Sequence, residues 1–370
     1  MTRLLHFIAS SIVALSFLLM TAEIDGQNLR PSTGDPLDIP PTKSTRPMKV
    51  QDQLRLAGDY LAGRGVPADP VQAAYWYRKA ADSGDPGAQV QLGYFYMAGV
   101  GVQKDEAIAA RWFERAAGSG SPRAKLNLAV LYLKGVGLRH DTQLGIDLLR
   151  ELAEKKYAVA EDYLGLAYYM GIGVAVDHRT AEKWFIKASK EGSAEGDYAV
   201  GTLYSSIEDH PHDFPKAVEY LRRSAKNGYV PAMHALGLIL VTHPEIPLSE
   251  PGEVRELLLT AAEAGTWRSS VLLAILARDG LGESKDIATA CRWFTIAARQ
   301  GGPEAQKYLH VDLESCKTHL STSEQAAEVE AANYWIVEHP REHLFLLKNP
   351  PQSIDFPTME AFVLGPGELK

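Results

Sequence analysis

The sequence predicts an all-α protein, a right-handed α-solenoid of about seven helix-turn-helix units of 36 residues with a helical C-terminal cap. Three observations predict it. Residues of one type recur 36 apart, as in Gly63, Gly99, Gly135 and Gly171, and in the bulky series Trp76, Trp112, Leu148, Trp184 and Tyr220. Each period holds two apolar-periodic segments of about 12 residues, each stopped by glycine, which is a helical grammar and not a strand grammar. Beyond the last period, Ser321 and Glu324 open a further helix with a capping box, suited to covering the final apolar face.

The elements follow in order. Met1, Thr2 and Arg3 precede an apolar run from Leu4 to Met20, with small Ala22 behind it, so residues 1–22 read as a secretory signal or an uncleaved anchor, and either exports the rest. The expected location is the periplasm or the exterior, with no membrane insertion once the signal is cut. Residues 23–48 carry five prolines and little apolar periodicity and read as a linker. Residues 49–301 hold the seven units. Residues 302–345 read as capping helices and 346–370 as a tail, either free or lying along the array.

One unit shows the grammar: Leu92-Gly93, Tyr96, Gly99-Val100-Gly101-Val102, Asp105, Trp112-Phe113, Ala116-Ala117 and Gly120. Glycine in the Gly-x-Gly turn supplies positive φ, while Gly93 and the alanine pair let helix backbones approach around the bulk of Trp112 and Phe113. A single hairpin cannot bury such a face, so the units must stack. At these residues the chain resembles the Sel-1-like repeat family, relatives of the tetratricopeptide repeats. The shared motif is Ala-x-x-x-Leu-Gly-x-x-Tyr-x-x-Gly-x-Gly-Val followed by Ala-x-x-Trp-Tyr/Phe-x-x-Ala-Ala-x-x-Gly. The resemblance implies an adaptor or scaffold with a protein or peptide partner. It also implies an alternative, because some secreted cysteine-rich relatives are associated with β-lactam binding or hydrolysis. Those carry a cysteine pair in most repeats, whereas this chain has only Cys291 and Cys316.

Net charge is −8 and no long Lys/Arg run occurs, which argues against sequence-independent binding of nucleic acid and favours a partner with basic segments. No Gly-x-Ser-x-Gly elbow or Ser-x-x-Lys pair is present, and the Gly-x-Gly turns lack the ending of a phosphate loop, so neither a catalytic residue nor a cofactor is expected. If the first helices line a concave groove, the position after Leu-Gly lies in it: Tyr94, Val130, Leu166, Thr202 and Leu238, with Gln91, Asn127 and Tyr163 one turn earlier. The competing reading buries these residues between helices. The fifth and sixth units lose Gly-x-Gly and carry histidines instead. His210, His212 and His243, with Asp213 and Glu245, could converge on a divalent metal or be incidental in polar turns. His339 and His343 match a zinc-peptidase pattern that Pro340 interrupts. Cys291 and Cys316 sit where antiparallel helices bring them together, so an exported chain could bridge them and clamp the terminal unit.

Overall fold

The computed structural model describes residues 48–339 apart from 207–212 and 283. Among these residues there are sixteen helices and no strand. The signal, the linker before Met48, the tail, His210 and His212 lie outside the described residues. The chain divides into two compact units, described in turn: residues 48–181 and residues 182–339.

The first unit begins with α1 (Val50–Ala62), α2 (Pro70–Asp82), α3 (Pro86–Ala98) and α4 (Glu106–Gly118). It continues through α5 (Pro122–Lys134), α6 (Thr142–Glu154) and α7 (Ala158–Met170) into the first turn of α8 (His178–Lys190). Odd-numbered helices are the first of each pair and even-numbered ones the second. Each first helix ends on a left-handed glycine: Gly63, Gly99, Gly135 and Gly171. The second glycine of the turn does different work. A Cβ on Gly101 would stand 2.0 Å from the Pro70 carbonyl oxygen, and one on Gly137 2.2 Å from that of Glu106. Both contacts reach the first residue of the preceding pair's second helix, so this glycine is where consecutive hairpins meet backbone to backbone. Gly65, in the first described hairpin, has nothing within 4 Å.

Inside a hairpin, Gly93 faces the ring of Phe113, whose nearest carbon would lie 2.6 Å from an added Cβ. That closeness, with fully buried Ala109, Ala110 and Ala116, lets α3 and α4 approach. The turn-to-helix junction is equally periodic. Asp69, Asp105, Asp141 and Asp177 each cap a second helix by accepting a backbone N–H, the last three at 2.9–3.0 Å. Each also donates its own N–H to the carbonyl of a tyrosine nine residues earlier, Tyr60, Tyr96, Tyr132 and Tyr168. The tyrosine recurrence is therefore matched by a recurrent backbone bond as well as by packing.

The second unit holds the rest of α8, then α9 (Ala194–Ser206), α10 (Phe214–Lys226), α11 (Val230–Thr242), α12 (Glu253–Glu263), α13 (Trp267–Asp279), α14 (Ile287–Tyr308), α15 (His310–His319) and α16 (Thr322–Glu338). Asp213 and Asp286 continue the capping series. The pair α11 and α12 replaces the glycine joint. Arg222 of the preceding α10 grips Glu253 through two bonds of 2.8 and 3.0 Å and also donates to the Pro247 carbonyl, while Glu253 accepts from the Ser249 N–H at 2.7 Å. Burial pushes the Glu253 carboxyl up, but the bonds from Arg222 and Ser249 outweigh it and hold the group below its usual range. A side-chain clamp thus ties this long turn to the hairpin before it.

The end of the array departs from the sequence expectation of a separate cap. Helix α14 breaks at Gly302 (φ 63°), and Pro303 restarts it 36 residues after Trp267. Ala305 and Leu309 are fully buried at the places that Ala88 and Leu92 hold in α3. The chain is starting an eighth first helix, which stops at Leu309 and gives way to α15, a helix with no fully buried side chain. Cys291 and Cys316 are joined by a disulfide with Cα atoms 5.8 Å apart, tying α15 to α14. Helix α16 opens with the Ser321–Glu324 capping box and packs on α14 through Trp335 against Trp293 and an Arg292–Glu328 ion pair of 2.6 Å.

Candidate partner-binding face

The eight residues expected to line a groove are mostly packing. Asn127 and Val130 have no exposed area, Leu166 has 2%, Thr202 5%, and Tyr94, Tyr163 and Leu238 8 to 9%. Only Gln91 is half-exposed. The physical reason is packing within the hairpin: the Tyr94 ring, for example, meets the edge of Phe113 in α4 with ring centres 5.5 Å apart. Asn127 of α5 donates to the Tyr94 hydroxyl of α3 at 2.8 Å, so two members of the expected groove satisfy each other across adjacent hairpins. Thr202 donates to the carbonyl of Tyr198 in its own helix at 2.9 Å.

One residue at the rim was not singled out from sequence. Arg123, one turn before Asn127, lays its guanidinium over the Tyr94 ring, 5.1 Å from its centre, and donates Nε–H to the hydroxyl at 3.3 Å. Tyr157 stands at the same rim: burial pushes its phenol up and the nearby Arg123 charge opposes that. Arg123 and Tyr157 are each partly exposed, and Tyr94 supplies a floor. This cluster lies wholly in the first unit, as does the partly exposed Gln91 of α3. It can offer a guanidinium and aromatic surface to an extended chain. The signal that could have found it is the stripe Gly87, Arg123, Val159, also spaced by 36, which places Arg123 where its neighbours are small or apolar.

The metal expectation is not assembled among the described residues, where no group of three His, Cys, Asp or Glu side chains could hold an ion. The His243 ring lies on Phe214, 3.9 Å between centres, with Nδ1 3.1 Å from Glu245, and the Asp213 carboxylate is committed to capping α10. His339 likewise stacks on Trp335 at the end of α16. No described helix is long and apolar enough to cross a membrane.

With the hairpins and their joints in place, the comparison with protein families decides the kinship. The Sel1 repeat model matches residues 51–85, 86–121, 122–157, 158–193, 194–229 and 269–302, more than half of the chain. The chain belongs to the Sel1 repeat family. The stretch the model passes over, 230–268, contains α11, α12 and Glu253, the residue that Arg222 of the matched repeat before it grips in place of the glycine joint. A Sel1 repeat protein from Oxalobacter formigenes is similar at 26% identity and TM-score 0.58, over 68% of this chain and 99% of that one. The protective antigen c5321 of uropathogenic Escherichia coli, which displays the same repeat fold, is 24% identical over 83% of this chain and 73% of its own, with TM-score 0.45. Immunity protein Pa5087 from Pseudomonas aeruginosa is 20% identical over 60% of this chain and 78% of its own, with TM-score 0.39. No curated protein matches the chain. Sel1 repeat proteins generally mediate protein–protein interaction.

Proposed function

We propose that this Sel1 repeat protein is an exported, non-enzymatic scaffold that holds a protein or peptide partner on the first-helix face of residues 48–181. The observation that carries the reading is the division of labour in each hairpin. The motif residues are committed to joints, caps and packing, while Gln91, Arg123 and Tyr157 are rim positions that the repeat does not dictate. A surface of one guanidinium beside stacked aromatic rings suits a peptide bearing a carboxylate or an exposed carbonyl. Export rests on residues 1–22 and puts the scaffold in the periplasm or beyond.

The test is quantitative capture from the source cell's envelope and culture supernatant with tagged residues 23–370, beside Arg123→Glu and Gln91→Lys variants shown to be folded by circular dichroism. A partner recovered by the parent and reduced at least tenfold by either variant supports the reading. Equal recovery by all three contradicts it. Replacing Tyr94 is a poor control, because it removes a buried bond to Asn127 and costs stability as well as surface.

A further inference from the structure

Helix α8 carries a feature opposed to the charge of the whole chain. Lys183, Lys187 and Lys190 are exposed and spaced i, i+4, i+7, which brings them within about 60° of one another around the helix and over about 10 Å along it. None of the three has a carboxylate partner among the described residues. On the following second helix, by contrast, Arg222 pairs with Glu253 and Arg223 with Asp197. Glu182, the acidic residue of α8, accepts from the Tyr204 hydroxyl instead. Like charges at this spacing oppose helix formation. In a chain of net charge −8 the stripe is therefore a local exception whose lysines form no ion pair among the described residues.

We propose that the lysine stripe of α8 docks an acidic peptide segment of the partner, a second contact that rests on the scaffold reading above. About 10 Å is the reach of an extended peptide of roughly four residues, so alternate carboxylates can meet successive lysines. The Lys187 ammonium lies 3.8 Å from the centre of the half-exposed Trp184 ring, which adds a flat apolar patch beside the charges. A peptide fits better than a lipid surface. A helix that docks on a membrane inserts a broad apolar face next to its cations, and here Ala181, Phe185 and Ala188 have no exposed area, which leaves only the partly exposed Trp184 and Ile186.

The experiment is fluorescence anisotropy with labelled decaglutamate at low and physiological salt. It compares the full chain with Lys183→Glu/Lys187→Glu/Lys190→Glu, with Arg55→Glu/Lys104→Glu/Lys307→Glu, which carries the same charge change on exposed residues elsewhere, and with Arg123→Glu. The expected result is saturable, salt-sensitive binding that weakens at least tenfold in the α8 variant and less than threefold in the other two. No saturable binding, or equal weakening in both triple variants, overturns the proposal. So does binding to vesicles of 30% phosphatidylserine in the absence of peptide binding. Loss in the Arg123→Glu variant alone would place the acidic contact on the first-helix face and refute the stripe. The scaffold reading fails separately, by the capture experiment, whichever way this titration falls.

Discussion

Gly101 and Gly137, the second glycines of their turns, have the tightest backbone contacts of the glycines in the array. Any side chain on Gly101 drives a Cβ into the Pro70 carbonyl, whereas Gly65, at a similar positive φ (+72°), faces open space. Gly101→Ala should therefore cost roughly 3 kcal/mol or more, and Gly65→Ala only the backbone strain, about 1 kcal/mol. Urea denaturation followed by circular dichroism compares the two, and equal losses would refute the joint. Lys156 makes the converse case. It sits at φ 59°, where Gly84, Gly120, Gly192 and Gly228 stand in other hairpins, so Lys156→Gly should stabilise by about 1 kcal/mol in the same assay. His234 sets a pH limit. Burial, with the Arg268 charge behind it, pushes its imidazole down to about 4, and Nδ1 lies 2.9 Å from the Ser269 hydroxyl. The folded state binds the proton less well than the unfolded state. The contribution is thus complete above pH 6.5 and lost as pH falls toward 4, by about 3 kcal/mol. His234→Leu with Ser269→Ala should flatten that acid limb, and an unchanged limb would rule out His234 as its source.

At the level of elements, the period of 36 made the helical pairs legible, because it reports on glycines and bulky residues whose places are set by packing. The period also contained the capping aspartates, from Asp69 to Asp286, which become visible as a series once Asp105 is followed along the chain. Three things were not legible. The fate of Tyr94 and Asn127 depended on how closely adjacent first helices approach, a distance that spacing does not carry. The Arg222–Glu253 clamp joins residues 31 apart with no repeat to announce them. The eighth first helix was hidden because only Pro303, Ala305 and Leu309 keep the pattern before α15 abandons it. The weak seat of α15 leads to an expectation about the disulfide. A bridge spanning 25 residues contributes roughly 3 kcal/mol by restricting the unfolded chain. Reduction, or Cys291→Ser/Cys316→Ser, should raise amide exchange across residues 303–319 at least tenfold and leave α1 to α6 unchanged. Uniform exchange along the chain would show that the bridge is not a local tie.

At the scale of the whole molecule, the proposed function assigns stability and recognition to different residues. The hairpins are held by glycines, alanines, aspartate caps and buried aromatic rings, which repeat and so carry no partner identity. The proposal gives recognition to side chains the repeat does not fix, such as Gln91, Arg123 and the lysines of α8. Surface variants should therefore change binding without changing the denaturation midpoint, and joint variants should do the reverse. The most direct measurement is photo-cross-linking in the source cell with benzoylphenylalanine placed singly at Gln91, at Arg123 and at Arg111, an exposed residue on the second helix α4. The scaffold reading expects a discrete cross-linked partner from positions 91 and 123 and none from 111. A partner trapped from 111 alone, or none from any of the three, would contradict it.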